Sequence, residues 1–237
     1  MRGDQAMRFA TLLLFTLPAL AVLTSTAGAE PYWISYDGND FPENEGWTRE
    51  YGDENGHGQG GAVRSIEDGA LVLDGLRHVA IYDAYTMSRP IDPAPDELFI
   101  MRWRLRVDEV SAREDPAVVA FSDDSWGVGF QFSESYVEST FEDAVTAAFE
   151  AGVFHLFELR SYDMRQYELL IDGEVALVGP FFDTITASEV GWGDAVTGSA
   201  SLSRWDYFEF GVVPEPCSAA TLSVAGAVAL FLRRRAF

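Results

Sequence analysis

Ten residues near the middle of the chain, Leu98–Val107, read Leu-Phe-Ile-Met-Arg-Trp-Arg-Leu-Arg-Val. Phe99, Met101, Trp103, Leu105 and Val107 share one phase of a period of two, and Arg102, Arg104 and Arg106 share the other. A helix would scatter both sets around its circumference. A half-buried strand sends the rings to a core and the guanidiniums to water. The same period returns in Trp126–Phe132, where Trp126, Val128, Phe130 and Phe132 are in phase and glycines lie opposite. In Phe154–Arg160 it sets His155, Phe157 and Leu159 against Phe154, Leu156 and Glu158. In Leu202–Phe210 it sets Leu202, Phe208 and Phe210 against Trp205 and Tyr207.

Turn chemistry separates these runs. Asp68-Gly69 and Asp172-Gly173 each sit between apolar stretches, and Asp-Gly accepts the positive φ angles of a tight primed turn. Pro90, Pro93 and Pro95 break the chain ahead of the strand at Leu98. Only Phe141–Glu150 reads as helical, with Phe141, Ala144, Val145, Ala148 and Phe149 at i, i+3, i+4, i+7 and i+8. Many short strands with frequent turns predict an all-β sandwich.

Three segments carry a family resemblance: Gly152–Arg160, Tyr167-Glu168-Leu169 and Ile171-Asp172-Gly173-Glu174. They resemble the paired strands of laminin-G-like and concanavalin-like jelly rolls, and Ser203–Phe210 is similar to the closing strand of those folds. The likeness covers Gly152–Phe210 and, more loosely, Trp47–Leu73. It implies a single jelly-roll-type β-sandwich, here placed at residues 30–211. It implies no particular chemistry, because one sandwich hosts lectins, hydrolases and inert adhesion modules.

The two ends read as addresses. Arg2 and Arg8 precede the apolar run Phe9–Leu23, and Ala27-Gly28-Ala29 follows as a small-x-small cleavage site. Residues 1–29 are therefore expected to be a secretory signal peptide, with Ala27 and Ala29 at the cut and Glu30 as the mature start. At the other end, Pro214-Glu215-Pro216 is followed by the uncharged run Cys217–Leu232 and then by Arg233, Arg234 and Arg235. Sixteen residues give roughly 24 Å of helix, slightly short of a hydrocarbon core of about 30 Å. Bilayer thinning and arginine snorkelling make up the difference, and the arginines stay cytoplasmic. The order of triplet, span and arginines resembles the PEP-CTERM sorting signal. That resemblance implies a tail at residues 212–237, a transmembrane helix at 217–232 and an exosortase-like processing enzyme as partner. The expected route is export, a membrane-anchored precursor, then the cell surface or extracellular matrix.

Charge removes one class of partner. The chain has a net charge of −22 and no lysine, and between the two end segments eleven arginines face 36 acidic residues. Such a surface repels phosphates, so no nucleic acid partner is expected. The lone cysteine, Cys217, rules out an intramolecular disulfide.

Candidate chemistry is sparse. A glycoside hydrolase needs two carboxyl groups across a cleft, but Glu158, Asp163, Asp206 and Glu209 are scattered and form no Glu-x-Asp-x-Glu run. Asp123 and Asp124, with Asp37, Asn39 and Asp40, offer oxygens for calcium, the one cofactor considered. In so acidic a chain the simpler reading of these is solvated loop acids. His57, His78 and His155 are far apart, and His155 is expected to be structural. Trp33, Trp47, Trp126, Trp192 and Trp205 are candidates for a sugar platform, against the plainer reading of core tryptophans. Trp192 stands out because it lies between glycines, with Asp194 close by as a carboxylate to accompany an exposed ring. The leading expectation is a non-enzymatic envelope or matrix protein with weak carbohydrate binding. The rival is a glycan-active hydrolase on the same fold.

Overall fold

The computed structural model describes residues 32–53, 61–76, 81–88, 93, 97–111, 117–123, 125–140, 144–183, 188–194 and 200–214. Residues 1–29, expected as a signal peptide, and the part of the expected sorting tail from Glu215 onward lie outside them. Within them the chain forms sixteen strands and one 3-10 turn, Pro42–Glu45. The strands are β1 (Tyr32–Tyr36), β2 (Thr48–Asp53), β3 (Val63–Glu67), β4 (Ala70–Asp74), β5 (Ile81–Ser88) and β6 (Glu97–Val110). Next come β7 (Ala117–Ser122), β8 (Trp126–Phe132), β9 (Tyr136–Ser139), β10 (Thr146–Ala148) and β11 (His155–Ser161). The chain continues with β12 (Gln166–Ile171), β13 (Glu174–Pro180), β14 (Phe182–Asp183), β15 (Glu189–Asp194) and β16 (Ser201–Pro214).

They make two antiparallel sheets of eight strands. The first runs β13-β12-β11-β6-β16-β4-β3, with β1 also paired to β16. The second runs β10-β9-β8-β7-β15-β5-β2, with β14 also paired to β8. The alternating segment became β6, a 14-residue strand at the middle of the first sheet. Phe99, Met101, Trp103, Leu105 and Val107 are buried, while Arg102, Arg104 and Arg106 face out. Both Asp-Gly pairs are hairpin turns with positive φ at each position: 53° and 77° at Asp68-Gly69, and 51° and 87° at Asp172-Gly173.

Aromatic rings fill the space between the sheets. Trp103 stacks on Phe157 and Phe208, at centroid distances of 5.7 and 6.0 Å. Trp192 stacks on Phe208 at 5.5 Å and lies 5.0 Å from Trp205. Such pairs add about 0.5–1.5 kcal/mol each beyond the area they bury.

Two sequence expectations fail here. Phe141–Glu150 is not helical: Thr146–Ala148 is β10, paired to β9 through Thr146↔Glu138, Ala147↔Val137 and Ala148↔Tyr136. Residues 141–143 lie outside the described set. The open edge of β9 supplies ladder partners that an isolated amphipathic turn lacks, and Phe149 is drawn onto Phe157, 5.5 Å away. The second failure is the phase of the last strand. Trp205 shares the core with Phe208 and Phe210, because a bulge makes Trp205 pair with Leu105 and Tyr207 with Arg104. One extra residue in the strand, Asp206, turns the alternation over.

Candidate functional site

Two carboxyl groups meet inside one end of the sandwich. β5 and β15 are neighbours, and their register sets Asp83 directly opposite Asp194. Both side chains point inward and each residue is only 1% exposed. Arg49, on the next strand β2, grips Asp83 with two nitrogens: Nε donates to Oδ1 at 2.8 Å and a terminal nitrogen donates to Oδ2. Among the described residues Asp194 has no such cation. Its Oδ2 accepts the backbone N–H of Ser201 at 3.1 Å, which links β15 in one sheet to β16 in the other. Its Oδ1 makes no hydrogen bond among the described residues, and the Ser201 hydroxyl, also buried, faces the carboxyl without a well-formed bond.

Glycines pack over both groups. A Cβ at Gly61 would stand 2.5 Å from Asp83 Oδ2, and one at Gly75 would stand 2.5 Å from Asp194 Oδ2. Burial, reinforced by the charge of Asp83, pushes the Asp194 carboxyl up to about 7, and hydrogen bonding from Ser201 offsets only part of this. Chemically the pair can hold and release a proton near neutrality. It offers no sugar cleft, because neither carboxyl reaches the surface.

A second constellation covers the outside of the first sheet. β11, β6 and β16 are adjacent, and Glu158, Arg102 and Glu209 lie in one cross-strand row. Arg102 pairs with Glu158 and, at 3.3 Å, with Glu209, while Arg160 also pairs with Glu158. Arg104 pairs with Asp206. Arg204 holds Asp108 at 2.8 Å and Glu67 at 2.9 Å. Arg104 and Arg106 both lie over the Phe154 ring, 4.9 and 5.2 Å from its centroid. Asp163 sits in a turn and accepts the N–H groups of Arg165 and Gln166, which hold its carboxyl below the usual range. All four acids weighed for hydrolysis are thus engaged.

Trp192 is not on an exposed loop. It is a β15 residue, 1% exposed, wedged among Tyr36, Tyr85, Trp47, Trp205 and Phe208. The flanking Gly191 and Gly193 fall on the opposite face of that strand, so they flank a core ring rather than a loop ring. Asp194 goes inside with it. Trp47 and Trp205 are also buried, Trp126 is half-buried, and the Trp33 side chain lies outside the described set.

Asp123 folds back on its own loop, its Oδ1 accepting the N–H groups of Ser125 and Trp126 at 2.6 and 2.5 Å. Asp124 lies outside the described residues. Among the described residues no three or more His, Cys, Asp or Glu side chains group together as metal ligands. Asp37 Oδ1 accepts the Asn39 N–H at 3.0 Å, an equally local turn. His155 is 7% exposed, with Nδ1 2.6 Å from Asp172 Oδ2 and Nε2 2.8 Å from the Glu150 carbonyl. His57 and His78 lie outside the described residues.

Of the residues expected to form a sorting motif, only Pro214 is described. It is the last residue of β16, paired with Glu97 at the start of β6. Glu215, Pro216 and Arg233–Arg235, like Ala27 and Ala29, lie outside the set. Among the described residues no helix is long and apolar enough to cross a membrane, and Cys217–Leu232 is not among them.

Asp83 and Arg49 were missed in the sequence. They stand 34 positions apart on neighbouring strands, and nothing local marks either.

The fold has parallels in known structures. The chain is similar to a carbohydrate esterase from the Shiga toxin-encoding bacteriophage phi24B, with a TM-score of 0.55, 13% identity, and coverage of 77% of this chain and 99% of that one. It is similar to an endo-1,3-beta-glucanase from Streptomyces sioyaensis, with a TM-score of 0.50, 12% identity, and coverage of 80% and 100%. The fold is a concanavalin-like jelly roll. At such identities the likeness speaks to fold alone. No protein-family model matches the chain, and no curated protein matches it in sequence.

Proposed function

We propose that this jelly roll is an exported cell-envelope or extracellular-matrix protein that performs no catalysis and binds polysaccharide weakly. One observation carries the non-enzymatic part. Glu158, Asp206 and Glu209 are neutralised by arginines and Asp163 by backbone N–H groups, so none is poised as acid or nucleophile. The carbohydrate part draws on the jelly-roll fold, whose similar structures include a carbohydrate esterase and a glucanase. A hydrolase reading that turned to Asp83 and Asp194 would find one gripped by Arg49 and the other raised by burial. Their burial keeps any sugar away from them.

The test incubates the full chain with a panel of polysaccharides. Retention on a polysaccharide without release of reducing ends supports the proposal. Release of reducing ends that disappears in Asp194→Asn would replace it with the hydrolase reading.

Delivery rests on the resemblance of the carboxyl-terminal residues to a PEP-CTERM signal. On this reading an exosortase-like enzyme processes a precursor anchored by residues 217–232. Replacing Pro214 and Pro216 with alanine is expected to leave an uncut, membrane-held chain; unchanged tail loss would count against recognition of the triplet. A soluble version of the body has to extend through Pro214. Stopping at Gly211 would remove the ladder partners of Phe99, Leu98 and Glu97.

A further inference from the structure

The end of the sandwich that holds Asp83 and Asp194 is tied within the first sheet and, through Asp194, between the two sheets. Gly75 N–H donates to the Ser201 carbonyl at 2.8 Å and Ser111 N–H donates to the Ala200 carbonyl at 2.8 Å, both extending ladders of the first sheet, while Ser201 N–H donates to Asp194 and joins that sheet to the other. The last of these is the only one of the three made to a titratable side chain. Among the described residues, the charged group facing Asp194 is Asp83 on β5, with Arg49 on β2 behind it. Among the described residues, β16 offers it the Ser201 N–H, and Gly75 packs against it from the end of β4.

One guanidinium therefore serves two buried carboxyl groups, and both of its bonds go to Asp83. When Asp194 carries a proton, the pair holds one negative charge against one positive. When it ionises, a second negative charge appears opposite Asp83, with no second cation and no donor at Oδ1 among the described residues.

We propose that Asp194 is a proton-controlled latch. Protonated, it closes this end by tying β15 to β16; ionised, it is a charge cut off from water and set beside Asp83, and the end loosens. The direction with pH follows from linkage. A carboxyl raised from its ordinary 3.8 to about 7 keeps its proton in the folded chain while the unfolded chain releases it. Stability is then fully present below about pH 4 and falls as pH rises to about 7. Three pH units correspond to about a thousandfold in the unfolding equilibrium.

The test compares the full chain with Asp194→Asn, which keeps the acceptor for Ser201 and cannot ionise. The two should have equal stability at about pH 4. By about pH 8 the variant should be the more stable, by up to the thousandfold factor. The Ser201 amide, corrected for intrinsic rate, should then exchange its hydrogen faster in the natural chain. Parallel stability curves across this range would overturn the latch. So would calcium that restores the natural chain at pH 8 and leaves the variant unchanged, because the pair would then be a cation site. Should the variant fail to fold, carbon-13 detection of the Asp194 carboxyl in the natural chain decides: titration near 7 supports the latch, and titration near 4 overturns it.

Discussion

The two long seams of this sandwich, where the edge strands of one sheet approach those of the other, are closed by different chemistry. Along the β2/β3 seam the seal is ionic. Arg49 grips buried Asp83, and Arg64 reaches from β3 to Tyr85 Oη on β5 at 2.8 Å and to Glu43 at 2.7 Å. The two guanidiniums also lie over rings, Arg49 over Tyr51 at 4.5 Å and Arg64 over Phe41 at 4.6 Å. Along the β10/β13 seam the seal is a ring stack. Phe149 packs on His155 at 5.0 Å and on Phe157 at 5.5 Å, beside an open cavity of about 470 Å³ lined by Ala147, Ile171 and Val175 among others. An ionic seal stays favourable only while both partners are present. A ring stack degrades gradually. The first seam should therefore be the brittle one.

The largest expected effect tests that brittleness. Arg49→Met keeps most of the apolar stem but leaves Asp83 buried, charged and opposite Asp194. Stranding one member of a buried pair costs about 3–5 kcal/mol. Denaturant unfolding should show a loss of that size, and Arg49→Met with Asp83→Asn should recover most of it. A double variant as unstable as the single would mean that lost packing, and not the orphaned charge, sets the cost.

The contrast between the seams was only half legible in the sequence. Alternation exposed β6 because its arginines and rings differ so sharply in polarity, and Asp-Gly exposed both hairpins because few residues tolerate positive φ. The closing-strand phase was lost at Asp206, since a bulge is one residue out of register and leaves no compositional mark. Trp192 looked like a loop ring because glycine reads as a turn signal. In β15 the glycines fall on the face away from the core. The Arg49–Asp83 pair and the Asp83–Asp194 facing are cross-strand facts, set by strand order, and strand order is not written in any one strand.

His155→Phe probes the second seam. The ring contacts to Phe149 and Phe157 survive, while the bonds to Asp172 and the Glu150 carbonyl are lost. Asp172 keeps a half-exposed side chain that water can solvate, so the loss should be about 1–3 kcal/mol, below that of Arg49→Met. Acid sharpens the point. Burial pushes the Asp172 carboxyl up, but hydrogen bonds from His155 and the Leu156 N–H outweigh this and hold it below its ordinary 3.8. A depressed carboxyl contributes stability that is present above its ordinary value and lost as pH falls below it. The natural chain should therefore lose stability more steeply below about pH 4 than His155→Phe does. Equal slopes would show that the His155–Asp172 bond contributes nothing.

The smallest effect returns to the ionic seam and separates charge from burial. Glu43 bonds Arg64 at 2.7 Å, a contact as short as many in the core, but its side chain is 34% exposed whereas that of Asp83 is 1% exposed. Glu43→Gln leaves Arg64 its bond to Tyr85 and its seat over Phe41. Nothing buried loses its counter-charge, so the cost should be about 0.2–1 kcal/mol and should shrink further in high salt. A loss approaching that of Arg49→Met would mean that Arg64 depends on Glu43 as Asp83 depends on Arg49. The brittleness would then belong to the whole charged seam. A small, salt-sensitive loss confines it to the buried Arg49–Asp83 pair.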